Sequence, residues 1–80
     1  MVERIYKLLL DIKPEVDFKS SNNYIEDGFL DSIDVIALVA AIDKEFKTSI
    51  DGFDIVPENF VNADAIERLL KDKYGKIPWT

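Results

Sequence analysis

The stretch Ser32-Ile33-Asp34-Val35-Ile36-Ala37-Leu38-Val39-Ala40-Ala41-Ile42-Asp43-Lys44-Glu45-Phe46-Lys47 decides the fold. At about 100° per residue, Val35, Leu38, Val39, Ile42 and Phe46 fall on one side of a helix. Ile33, Ile36, Ala37 and Ala40 fall on roughly the opposite side. A helix in a small bundle buries one stripe, because burying two would require neighbours all round it. The side with the larger residues is therefore the predicted core face. The other side, which begins beside Ser32, is predicted to face outward as a docking surface, since exposed apolar residues rimmed by acids mark interaction sites. The bland alternative packs Ile33 and Ile36 under the preceding loop and leaves the alanines as good helix formers. Asp31 and Ser32 both suit the N-cap. Asp34 lies in the first turn, where the helix dipole favours negative charge, and Lys44 and Lys47 lie in the last turns, where it favours positive charge.

Upstream, Val2, Ile5, Leu9 and Ile12, with Leu8 beside them, follow the helical rhythm up to Pro14 and the residue before it. Residues 13–31 form a long connection with turn formers at Ser20, Ser21, Asn22, Asn23 and Gly28. A connection that long in so short a chain needs pinning, and Phe18, Tyr24, Ile25, Phe29 and Leu30 are the predicted anchors. Downstream, Asp54 to Phe60 is read as a short helical turn. Asn62 is the predicted N-cap of a last helix over Ala63 to about Tyr74, with Ile66, Leu69 and Leu70 inward and Gly75 as its stop. Residues 76–80, including Trp79, read as a mobile tail. The expected fold is all-α: one domain over residues 1–80, with three main helices, one short helix and a long first loop.

With 80 residues, 48% hydrophobic and 32% charged, the chain has the composition of a single globular domain. It contains no cysteine and no histidine, which excludes thiolate chemistry and any Ser-His or Cys-His hydrolase. The longest apolar run, Val35 to Ile42, is eight residues, too short for a bilayer span, and the N-terminus opens straight into a helix, so a cytoplasmic location without membrane insertion is expected. The net charge is −6, and residues 26–58 hold nine acids and two lysines. Acid concentrated there argues against nucleic acid as a partner and for basic protein partners, although acidic surfaces also serve plain solubility.

The segment Asp27-Gly28-Phe29-Leu30-Asp31-Ser32-Ile33-Asp34, followed by an acidic amphipathic helix ending in Glu45-Phe46, resembles the acyl carrier protein family. A second signature agrees, Asp54-Ile55-Val56-Pro57-Glu58-Asn59-Phe60 ahead of Ala65-Ile66, and the resemblance spans essentially the whole chain. It implies an acyl-carrier-like bundle that is not an enzyme. It further implies that Ser32 carries a covalent 4'-phosphopantetheine arm, taken from coenzyme A by a phosphopantetheinyl transferase whose recognition motif includes Asp31. The arm's thiol would then carry acyl or aminoacyl groups between a loading ligase and acyl-transferring enzymes. Asp31, Ile33, Asp34, Ile36, Ala37 and Ala40 become the expected partner-binding residues, on a monomer.

Ile33 stands where fatty-acid carriers usually have leucine, Ala37 where they carry glutamate, Ala40 where methionine is frequent, and Lys44 replaces an acid, while Asp43 keeps one. These departures point to a specialised stand-alone carrier, such as a D-alanyl or free aminoacyl carrier loaded by an adenylating ligase. The lead-in Gly28-Phe29-Leu30-Asp31-Ser32 does not match the G-G-(H/D)-S motif of peptidyl carriers. Two readings from other classes stay open: an unmodified carrier-like adaptor in a larger assembly, and a small enzyme using the acid pairs Asp31/Asp34 or Asp51/Asp54.

Overall fold

Three helices form where the periodicity places them. In the computed structural model, which describes residues 1–76, α1 spans Val2–Ile12, α2 Ser32–Phe46 and α3 Ala63–Tyr74. No strand occurs among the described residues, and none of their helices is long and apolar enough to cross a membrane. The protein is a small helical bundle in which α1 packs on both α2 and α3. The expectation of a tail over residues 76–80, Trp79 included, falls outside the described residues from position 77 on. Lys76 donates its N–H to the Leu70 carbonyl at 3.0 Å.

Each boundary has a local cause. Asn62 accepts the Ala65 N–H at 2.8 Å and starts α3. Gly75 ends it in the left-handed region at φ 66°, a conformation glycine adopts without Cβ conflict. At the end of α2 that role falls to Lys47, at φ 55°, and the Thr48 N–H closes the cap on the Asp43 carbonyl. The single short helix read over 54–60 resolves into two 3₁₀ turns, Gly52–Asp54 and Pro57–Phe60. Pro57 forces the break: it donates no hydrogen bond and drives Val56 into extended backbone. A third 3₁₀ turn, Phe18–Ser20, lies within the long loop.

The core gathers the inward faces of all three helices and the loop anchors. Ile5, Leu9, Leu38, Ile42, Phe60, Ile66 and Leu70 are fully buried. Phe18 and Tyr24 meet edge-on at 5.1 Å, and Tyr24 stacks with Phe29 at 6.5 Å, so the aromatic residues pin the loop as its sequence suggests. Backbone bonds complete the pinning. Tyr24 N–H donates to the Val61 carbonyl at 2.6 Å, and the Tyr24 carbonyl accepts from Phe29 and Leu30 at 2.7 and 3.0 Å. The Asn62 amide also reaches back to the Asn22 carbonyl at 2.9 Å. The loop therefore reaches Ser32 as an ordered segment. The Tyr24 hydroxyl is buried without a hydrogen-bond partner, and its burial pushes its pKa upward.

Two substitutions test the two-faced helix. In chemical denaturation, Ile42→Ala is expected to lose about 2–5 kcal/mol, the range for truncating a buried aliphatic residue. Ile33→Ser should stay within about 0.5 kcal/mol of wild type, and a large loss there would show that this face is not the outer one. Tyr24→Phe removes an unpaired buried hydroxyl and should leave the melting temperature unchanged or raise it.

Candidate functional site

The start of α2 brings the sequence-predicted residues together. Asp31 takes the N-cap. Its Oδ1 accepts the Asp34 N–H at 2.8 Å, and Asp34 Oδ2 accepts the Asp31 N–H at 3.1 Å. This reciprocal capping box satisfies two amides that a helix start leaves open. It gives the Asp31/Asp34 pair a capping role. Ser32 is thus the first helical residue and is not needed as a cap. Its side chain is exposed. Among the described residues, no hydrogen bond forms to its hydroxyl, and no acceptor reaches the Ser32 or Ile33 N–H. A free hydroxyl sits beside two unused amides at the positive end of a helix dipole, which is a favourable place for an anionic group on that oxygen.

Beyond Ser32 the outer face of α2 is open. Ile33 is 74% and Ile36 64% exposed, and Ala37 and Ala40 are exposed too. The alternative of Ile33 and Ile36 packed beneath the loop does not occur. Phe53, at the tip of the Gly52–Asp54 turn, is 93% exposed, which its sequence context gave no reason to expect.

On the other side of Ser32 lies an open apolar cleft of about 360 Å³. Its walls are Ile25 and Leu30 of the loop, Val35 and Ile36 of α2, and residues 55–57, with Asp31 and Ser32 at its edge. The far wall is held by a polar clasp. Tyr74 Oη accepts the Asp51 N–H at 2.8 Å and donates to Asp54 Oδ2 at 2.7 Å. Lys73 Nζ pairs with Asp54 Oδ1 at 2.6 Å, and the Asn59 amide donates to the Asp54 carbonyl at 2.8 Å. The 54–60 signature is therefore partly a wall and partly its fastening.

A second fastening lies under the serine. Lys13, the residue that closes α1, places its ammonium 3.0 Å from Asp34 Oδ2 and 3.2 Å from the Phe29 carbonyl. The sequence offers no signal for this contact, because a lysine at a helix end reads as a partner for the dipole. Its partners lie far away along the chain.

The acid-rich middle is largely committed within the fold. Asp27 accepts from Ser21, and Asp43 caps Thr48 and the Ile50 N–H. Glu45 pairs with Arg4, Asp51 accepts from the Phe53 N–H, and Asp54 holds the clasp. This sharpens the expectation of an acidic docking patch: the helix side that faces outward is apolar.

Two of these acids tie stability to pH. Asp34 is held below its ordinary value of 3.8, first by the Asp31 N–H and then by Lys13. Asp54 is lowered first by its bond from Lys73 and then by that from Tyr74. A carboxyl with a depressed folded pKa stabilises fully above the unfolded value and loses that contribution as pH falls through the folded one. The melting temperature is expected to hold from pH 7 to about 5 and to fall below about 4. Asp34→Asn and Asp54→Asn should each lower it at pH 7 and flatten the acid limb. An unchanged acid limb in the double variant would refute this assignment.

No protein-family model matches the chain, and no solved structure matches it, so the site stands on its own geometry.

Proposed function

We infer that the protein is a carrier whose Ser32 hydroxyl takes a 4'-phosphopantetheine arm. The observation that carries this reading is the state of Ser32: Asp31 does the capping, and the serine hydroxyl is left exposed and unbonded at the first turn of α2. A serine with a purely structural task at this position would be the cap itself. The two free amides beside it suit the phosphodiester, and the arm, once attached, supplies a thiol to a chain that has no cysteine.

The Ser32 oxygen forms the new bond to phosphorus as the pyrophosphate bond of coenzyme A breaks. Adenosine 3',5'-bisphosphate leaves, and the hydroxyl proton passes to a base on the phosphopantetheinyl transferase. Ile33, Ile36, Ala37 and Ala40 offer partners an apolar contact face, with Asp31 at its head. The cleft beside Ser32 has room for about a dozen waters' volume and an almost wholly apolar lining, which favours a short aliphatic cargo over a polar one. A tethered cargo reaches each partner at a high effective concentration. The smaller outer face and the committed acids fit a specialised carrier loaded by an adenylating ligase better than a carrier of fatty-acid synthesis. Such partners belong to the cytoplasm.

Incubation with coenzyme A and a broad-specificity phosphopantetheinyl transferase should add one phosphopantetheine to the intact mass. Ser32→Ala should show no gain while keeping the wild-type melting temperature. A wild-type chain that stays unmodified with two such transferases would sink the carrier reading. A stoichiometric co-purifying protein on an unmodified Ser32 would then favour an adaptor.

A further inference from the structure

Lys13 reaches both flanks of Ser32. On one side its ammonium donates to the Phe29 carbonyl, three residues before the serine; on the other it pairs with Asp34, two residues after it. The Asp34 oxygen that meets Lys13 is the one that receives the Asp31 N–H. One cation therefore ties together the end of α1, the chain entering the site and the capping box that starts α2. The contacts are partly shielded, with the Lys13 side chain 28% and the Asp34 side chain 17% exposed. Pairs in such surroundings hold geometry better than pairs in open water. Other fastenings of this segment lie further back, at the Tyr24 carbonyl.

We propose that Lys13 is a positioning residue for the modification of Ser32, holding residues 29–34 so that the serine hydroxyl meets the phosphorus of coenzyme A in one fixed orientation. The proposal rests on the carrier reading and adds a residue to it. Phosphoryl transfer to a hydroxyl needs the attacking oxygen in line with the leaving group, so small displacements of the nucleophile act on the rate of the step. Lys13 does not lie on the outer face of α2, so docking of the transferase would persist without it. Its loss should therefore appear in kcat and not in KM.

The test measures loading of wild type, Lys13→Met, Lys13→Gln and Lys13→Arg by intact mass, with coenzyme A and one broad-specificity transferase, at a temperature where all are folded by circular dichroism. Lys13→Met is expected to lower kcat about tenfold with KM nearly unchanged, the size of effect a modest misplacement of a reacting group gives. Lys13→Arg, which keeps the charge and the donors, should recover most of the rate. Lys13→Gln, which keeps one donor, gives the same comparison should the methionine variant be unfolded. Amide exchange followed by nuclear magnetic resonance should quicken at Asp31 and Asp34, whose N–H groups are bonded in the capping box that Lys13 braces, in the slow variants. If wild type is loaded while the methionine or glutamine variant is loaded at the wild-type kcat, or if only KM changes, the positioning role fails and the carrier reading stands. If wild type is not loaded at all, both fall.

Discussion

The cap of α2 decides how much of Ser32 is left over for chemistry. Either Asp31 or Ser32 has the side chain to start the helix, and only one is needed. Because Asp31 takes the Asp34 amide and Asp34 returns the bond, the cap falls one residue before the serine. Ser32 then stands in the first turn with its hydroxyl outward, and the next four residues fall into two sets. Val35 turns into the core, while Ile33 and Ile36 remain in solvent. A cap at Ser32 would have tied up the same hydroxyl in a backbone bond. The proposed chemistry of the site thus follows from a competition between two adjacent capping residues.

Around that start, the structure uses polar contacts where a larger protein would use more core. A bundle of this size has few apolar residues to spare for its loops. The 13–31 loop is pinned by an aromatic trio and by backbone bonds to Tyr24, and the 51–60 segment by Tyr74, Lys73 and Asn59. The cleft lies between these two fastened segments and α2. Its near wall depends on the loop aromatics and its far wall on the clasp at the end of α3, so its width is set by interactions distant from Ser32.

What could be read in the sequence was what depends on neighbours along the chain. The two faces of α2, the Asn62 start and Gly75 stop of α3, and the anchoring role of Phe18, Tyr24 and Phe29 are all local in origin, and the structure places them as read. The segment 54–60 was half legible: its helical character shows in the residues, but the break before Pro57 divides it into two turns. The sequence alone could not choose between Asp31 and Ser32 as cap, because both have the required oxygen. Lys13 was invisible, since its partners are brought to it by the packing of α1 on α2. The fate of the acids was hidden for the same reason: a charge count says nothing of which lysine, amide or hydroxyl each carboxylate will find.

That last feature divides the protein's electrostatics between two distances. Asp34, Glu45 and Asp54 are paired at close range, yet the chain keeps its net charge of −6. A basic partner is therefore drawn in by the field of the whole molecule, over roughly a Debye length. On arrival at the outer face of α2 it meets isoleucine and alanine. For any partner that uses this face, salt governs the frequency of encounter, and apolar contact governs how long the complex lasts. For the carrier role proposed above, that separation would divide capture, set by charge, from residence, set by apolar contact.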